Sequence, residues 1–217
     1  MLAFAIDAWW DDRQERVEER QILQDLEEEF SLIRDTLTRD SNVHLWQLQN
    51  LEEFLRKIDA GPLEVTPDQV SGVVEDLLSP RTSDISNGTL HALLGSGRLE
   101  IISRRTLREK LVGWESAIEE VWDDQQAHAK LVHEVHIPYF VAEGFGMADV
   151  MGIWYPGNTV PTRSIGNNAA ELNRLLEDSR FRSIVEARFV YKLHLTEEFE
   201  EAIAAAEEIL AEIRESE

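Results

Sequence analysis

A seven-residue repeat of apolar positions runs from residue 23 to residue 58. Its first position holds Leu23, Phe30, Leu37, His44, Leu51 and Ile58, and its second holds Leu26, Ile33, Asp40, Gln47 and Phe54. The repeat keeps its phase across RDTLTRDSNVH, a stretch that on its own would predict a loop. Because two separate helices would have no reason to stay in register, the pattern predicts one helix over residues 3–60 that packs against neighbours. Gly61-Pro62 is expected to end it.

Two further long helices follow, over residues 103–137 and 179–215. Ser103 is expected to cap the first and Pro138 to close it. Its apolar seam comprises Leu107, Leu111, Trp114, Ile118, Val121, His128, Val132 and Val135, with Gln125 as a polar member. The seam of the second comprises Phe199, Ile203, Ala206, Leu210 and Ile213. The sequence therefore predicts an all-α, mostly antiparallel helical bundle built on three long helices.

Short helices are predicted between the long ones. In TPDQVSGVVEDLLSP, Thr66 is a good N-cap, Pro67 suits the first helical position, and Gln69 completes a capping box. Further short helices are predicted over residues 86–94 and 167–178. Residues 139–166 hold five glycines, two prolines and several aromatic residues without a helical period. They predict an ordered connection that either has a function or caps one end of the bundle.

The opening residues, MLAFAIDAWW, are mostly apolar and run directly into charged sequence. Leu2–Trp10 is about half as long as the roughly 20 residues that a membrane-spanning helix needs. One interpretation is an amphipathic helix start packed on the core. The other is the outer part of a membrane anchor, which the adjacent Trp9 and Trp10 favour because tryptophan is enriched at lipid headgroups. Asp7 is an objection, since a carboxylate in hydrocarbon is costly.

These patterns predict three regions. Residues 1–10 are the remnant of a membrane anchor, residues 11–22 are a charged helical stalk with only Val17 in the seam, and residues 23–217 form a single helical-bundle domain. The stalk is expected to separate the bilayer from the domain.

The overall charge excludes some classes of partner. Lys and Arg total 21 against 43 Asp and Glu, so the formal net charge is −22, and a phosphate backbone would repel the surface. Nucleic-acid binding is therefore not expected. The chain has no cysteine, which removes disulfides, thiolate catalysis and cysteine metal ligands.

Candidate chemical groups are few. HAKLVHEVH carries three histidines, of which His133 and His136 lie three residues apart on one predicted helix face. The second histidine comes one residue too early for a HExxH zinc site, so we expect no metal site, no cofactor and no catalytic residue. A small-ligand site is predicted from His133 and His136 with Trp154 and Tyr155 of the aromatic connection.

The first helix also predicts a polar layer inside the bundle. Asp40, His44 and Gln47 occupy consecutive seam positions. Buried polar groups of this kind often fix the register of packed helices. The layer could instead respond to pH or bind a ligand.

Two stretches resemble a family of bacterial membrane-anchored helical proteins of unknown function. In that family the N-terminal anchor ends in an Ala-Leu-x-Ile-Asp/Asn-x-Trp pattern, and a Glu-Phe pair follows. The matching residues here are Ala5, Ile6, Asp7, Trp9, Glu29 and Phe30. The family's middle segment is similar to TLHALLGSGRLEIISRRTLREKL, with Ser96, Gly97, Leu99, Ile102, Leu107 and Arg108 in the matching positions. The resemblance implies an anchor and a helical domain outside the cytoplasm, and it implies no catalytic residues.

The expected function is a non-catalytic, membrane-anchored module for protein interaction or sensing, facing the periplasm or cell exterior. The expected partners are a membrane through the N-terminus and either another protein or a second copy of the chain. The alternative is a domain that binds a small ligand or a metal through residues 139–166 and the nearby histidines. The alternative location is the cytoplasm.

Overall fold

The computed structural model describes residues 2–61, 65–145 and 169–216, and every regular element in these ranges is helical. The α-helices are α1 (Leu2–Ala60), α2 (Pro67–Leu78), α3 (Gly88–Gly95), α4 (Arg105–Leu131), α5 (Ile137–Ala142), α6 (Ala169–Glu177) and α7 (Ser179–Arg214). A 3₁₀ turn covers Arg98–Ile101, and a π turn covers Val132–His136. The prediction of an all-α bundle with three long helices is confirmed.

Helix α1 is continuous through the region that resembles a loop. Its buried seam follows the seven-residue repeat from Leu23 to Phe54, Ile58 at the end of the repeat is partly buried, and one difference occurs, at Asp40. Ser41 is buried there, whereas Asp40 is partly exposed and pairs with Arg39 at 3.2 Å. The prediction that Asp40 belongs to the buried layer is therefore wrong. Its carboxylate reaches solvent, and the small hydroxyl of Ser41, the next residue, is buried instead. No helix in the described ranges has a stretch long and apolar enough to cross a bilayer.

The expected end signals around α1 and α2 are present. Gly61 has a φ of +140° and its N–H donates to the carbonyl of Lys57 at 3.1 Å, which ends α1. Thr66 and Gln69 form the reciprocal capping box at the start of α2, and Pro67 is its first residue.

The π turn carries the helix beyond the predicted stop at Pro138. The N–H of Ile137 donates to the carbonyl of Val132, five residues back, and α5 continues to Ala142. Pro138 lacks an N–H and clashes with the preceding turn of a regular helix, and the wider π turn accommodates it. The turn also shifts the buried face by one residue. Val135, predicted in the seam, is 44% exposed, and His136 is buried in its place.

The chain divides into two compact units, and α1, α4 and α7 contribute to both. The described part of unit one comprises residues 2–40, 83–121 and 198–216. In its core the rings of Phe30 and Trp114 meet edge to face, with centroids 5.1 Å apart. The Glu29 carboxylate accepts the N–H groups of Thr89 and Leu90 at 2.7 and 3.0 Å, and so caps α3 from another helix.

The described part of unit two comprises residues 41–61, 65–82, 122–145 and 169–197. Its core contains an aromatic group made of Phe54, Tyr139, Phe140, Phe145 and Phe181. Gly144, at φ +89°, ends α5 and places Phe145 against Phe140. The regions predicted at residues 1–10, 11–22 and 23–217 remain predictions.

Candidate functional site

Unit two contains a buried ion pair between α2 and α7. Arg188 has no exposed surface, and its Nε and Nη2 lie 3.3 and 3.2 Å from Oδ2 and Oδ1 of Asp76. Nη2 also donates to the carbonyls of Asp76 and, at 3.0 Å, Ser79. Burial lowers the pKa of Arg188, and Asp76 opposes this shift. A guanidinium remains charged in a protein, so the pair is ionic.

Lys192 lies one helical turn beyond Arg188 and is equally buried. Its Nζ donates to Gln47 Oε1 at 2.5 Å, lies 2.7 Å from Nδ1 of His44, and lies 3.8 Å from Asp76 Oδ1. Burial and the positive charge of Arg188 lower the pKa of Lys192 to about 7, although Asp76 opposes them. Lys192 therefore changes its protonation near neutral pH.

Three histidines are buried around these charges: His44, His128 and His136. Burial is the main cause that lowers their pKa values, to about 3, about 2 and about 4 respectively. Arg188 contributes to all three shifts, and all three rings are neutral at pH 7.

The histidine rings differ in their partners. Nδ1 of His136 lies 2.7 Å from the carbonyl of Leu77 and donates to it, so Nε2 carries the lone pair. The described residues offer no hydrogen-bond partner to Nε2 of His136 or to either ring nitrogen of His128. The His128 ring stacks on Tyr191, with centroids 6.5 Å apart. His136 is thus fixed by a backbone group, and His128 by packing.

We call Asp76, Arg188, Lys192, His44, Gln47, His128 and His136 the buried polar cluster. Among the residues whose burial the structure describes, Asp76 is the one buried carboxylate, and it faces two basic side chains. Two buried cations against one carboxylate leave excess positive charge whenever Lys192 is protonated. Burial is the main reason that the pKa of Lys192 is low, and this excess positive charge lowers it further.

A pocket of about 300 Å³ opens between α1 and α2 next to the cluster. Its apolar wall contains the buried side chains Leu51, Phe54 and Val73. Its remaining lining residues are Trp46, Gln47, Asn50, Glu53, Asp68, Gln69, Gly72 and Asp76. This α1–α2 pocket shares Gln47 and Asp76 with the buried polar cluster, so a molecule in the pocket would contact two partners of Lys192.

The structure separates the predicted ligand-binding residues. His136 is buried against Leu77, whereas His133 is exposed, because the π turn places them on different faces. Trp154 and Tyr155, like most of the 139–166 connection, lie outside the described residues. Of the predicted polar layer, His44 and Gln47 do lie together, as partners of Lys192.

The predicted membrane-interface residues are on the surface of α1. Trp9 and Trp10 are 52% and 59% exposed, with ring centroids 5.7 Å apart. The Arg13 guanidinium lies 5.6 Å from the ring centre of Trp9.

Sequence reasoning missed Asp76, Arg188 and Lys192. A signal was present on α7, where Phe181, Val185, Leu195 and Phe199 are buried at helical spacing and the two basic residues fall on the same face. Charged residues at seam positions are a recognisable sign of a buried polar group. Asp76 gives a weaker signal, because acidic residues are common on exposed helix faces.

One group of possible metal ligands occurs in the part of the chain that the structure describes. Carboxylate oxygens of Glu120, Glu198 and Glu201 in unit one lie within 4.8 Å of one another. Two of these side chains are exposed, and acidic groups of this kind are common at helix surfaces. They add no argument for a metal site.

Fold and site together define an all-α helical bundle protein with a small pocket beside a buried polar cluster. Comparison of the chain with protein-family models, curated proteins and solved structures finds no match in any of the three.

Proposed function

We propose that this protein is a non-catalytic sensing module that binds a small ligand in the α1–α2 pocket. The observation that carries the proposal is the sharing of Gln47 and Asp76 between the pocket and the buried polar cluster. The charged groups of the cluster bind one another. This arrangement suits a site that responds to a ligand better than a catalytic site, which needs a group free to attack a substrate.

The response would arise from the hydrogen bond between Gln47 and Lys192. A ligand that competes for the Gln47 amide weakens one of the few contacts that hold the buried ammonium. Because such contacts are strong in a low-dielectric interior, a modest displacement changes the protonation of Lys192. Ligand binding would thus be coupled to proton release near neutral pH.

A fragment screen by ligand-observed NMR tests the pocket. Gly72 lies in α2 at the pocket, and a Cβ there would meet nothing within 4 Å, so Gly72→Leu places a side chain at the pocket from an open backbone position. Gly113→Leu, also helical and open but in unit one, is the matched control. We expect fragments that bind the wild type and the control but not Gly72→Leu. If Gly72→Leu retains every fragment, the pocket is not a binding site.

A second proposal concerns location, and the exposed Trp9 and Trp10 favour it. We propose that the chain is attached to a membrane through its N-terminal segment, faces the periplasm or cell exterior, and reports to a protein partner or a second copy. Aromatic residues followed by charge suit a membrane–water interface. Fractionation of the source cells tests this, and recovery of all the protein in the soluble fraction would contradict it.

A further inference from the structure

The ionisable side chains that line the α1–α2 pocket all carry the same sign. Glu53, Asp68 and Asp76 are acidic, and no lysine or arginine is among the lining residues. On the basis of the proposed binding function, we propose that the ligand is a small organic cation with an apolar body. An anion would face the carboxylates of Glu53 and Asp68, whereas an ammonium group is attracted by both.

The apolar body is matched by the pocket wall. Leu51, Phe54 and Val73 line the inner side of the pocket, where they belong to the apolar core of unit two. A volume of about 300 Å³ is at the small end of the range for ligand pockets, so one aromatic ring or a short alkyl chain fits.

The cationic group is matched by the pocket opening. Trp46 is 63% exposed there, and the face of an indole ring attracts a cation. The side chain of Glu53 is half exposed, and its hydrogen bond with Lys57 lowers its pKa and so favours the carboxylate form. Asp68 is exposed in the first turn of α2. Both carboxylates can accept hydrogen bonds from an ammonium group.

Asp76 has a different role in the pocket. Both of its carboxylate oxygens already bind Arg188, and one lies 3.8 Å from Lys192. It is therefore not free to pair with a ligand. We therefore assign Glu53 and Asp68 as the partners of the ligand's ammonium group. The Gln47 amide is assigned as the ligand's polar contact on the side of the buried polar cluster.

Three probes of similar shape and different charge test the ligand class: phenethylamine, phenethyl alcohol and phenylacetate. Amide NMR titration gives the affinity of each probe. We expect phenethylamine to bind with shifts centred on the α1–α2 pocket, and the neutral and anionic probes to bind at least roughly fivefold more weakly. Binding of phenethyl alcohol or phenylacetate as tightly as the amine would overturn the proposal.

Variants that replace carboxylates with amides test which side chains bind the ammonium group. The double variant Glu53→Gln with Asp68→Asn is expected to weaken phenethylamine binding roughly fivefold. The control is Glu52→Gln with Glu75→Gln, two exposed neighbours on the same helices that do not line the pocket. Unchanged affinity in the first double variant would overturn the proposal.

Gly72→Leu distinguishes a failure of the cation proposal from a failure of the proposed ligand-binding function. If neutral or anionic molecules bind in a manner that Gly72→Leu abolishes, the cation proposal fails and the pocket stands. If no probe and no fragment depends on Gly72, the proposed binding function fails with it. Helix content measured by circular dichroism shows that each variant remains folded.

Discussion

Nζ of Lys192 lies 2.7 Å from Nδ1 of His44, and none of the lysine side chain is exposed. Because burial lowers the pKa of His44 to about 3, the ring is neutral and accepts the ammonium proton at Nδ1. The same burial lowers the pKa of Lys192 to about 7. The contact thus joins a histidine that stays neutral to a lysine that titrates near neutrality.

The first prediction concerns alkaline stability. Lys192 has a pKa of about 7 in the folded protein and 10.5 as its ordinary value, so the unfolded chain binds more protons between these pH values. The free energy of unfolding therefore rises with pH across this window, with Lys192 contributing up to about 1.4 kcal/mol per pH unit. Asp76, Arg188 and Arg81 are the charges that act on it.

Chemical denaturation at a series of pH values between 7 and 10 measures this contribution. Lys192→Met is expected to remove it, whereas the exposed Lys130→Met serves as the control and retains it. A Lys192→Met profile that is parallel to the wild-type profile would show that Lys192 keeps an ordinary pKa.

The second prediction concerns acid stability. The pKa values of His44, His128 and His136 are lowered to about 3, 2 and 4 from an ordinary 6.5. The stability from keeping these rings neutral is fully present above pH 6.5 and is lost progressively as the pH falls toward 4. Each ring contributes up to about 1.4 kcal/mol per pH unit in that window.

His128→Leu isolates one of these rings, because neither ring nitrogen has a hydrogen-bond partner in the described residues. We expect its unfolding free energy to fall less steeply than that of the wild type between pH 6.5 and 4. The control is His194→Gln, whose side chain is 65% exposed. Thermal unfolding at pH 5 and at pH 7.5 is the measurement, and an equal loss in His128→Leu and the wild type would contradict the prediction.

The sequence predicts the helices better than the site, for a physical reason. The uninterrupted helix α1 follows from a repeat that keeps its phase, and the capping box at Thr66 from local hydrogen bonding. Such signals depend on residues close in the chain. The pairing of Asp76 with Arg188 joins residues 112 positions apart, and no local pattern specifies it.

The π turn explains the errors near His136. An apolar period assumes regular helix geometry, and it places Val135 inside and His136 at the surface. One wider turn ahead of Pro138 reverses this assignment, so His136 is buried and Val135 is exposed. Residues beyond a π turn therefore cannot be assigned to a face from spacing alone.

The third prediction concerns the cap on α3. Its own N-cap residue, Asn87, makes no side-chain cap bond, and Glu29 of α1 accepts the N–H groups of Thr89 and Leu90 instead. Glu29→Ala should lower the free energy of unfolding by about 1–2 kcal/mol, because two helix N–H groups lose a charged acceptor. Urea denaturation measures the change. Glu28→Ala, at the exposed neighbouring position, is the control, and equal losses in both variants would show that the cap is unimportant.

The fourth prediction compares the two members of the buried ion pair. Asp76→Asn leaves Arg188 and Lys192 buried without a carboxylate, and we expect it to cost about 3–5 kcal/mol at pH 7. Arg188→Met leaves Asp76 with Lys192, one charge of each sign, and should cost less. The exposed neighbour Glu75→Gln is the control for the first change. Equal costs for the two variants in urea denaturation would show that charge balance is not the controlling factor.

The two variants should also shift, in opposite directions, the pH range over which Lys192 makes the free energy of unfolding rise. Arg188 lowers and Asp76 raises the pKa of Lys192. Removing the arginine therefore moves the start of the rise in stability above pH 7, and removing the carboxylate moves it below pH 7. Loss of packing or of hydrogen bonds alone would lower stability equally at every pH. The pH at which stability begins to rise thus distinguishes an electrostatic role for the Asp76–Arg188 pair from a purely steric one.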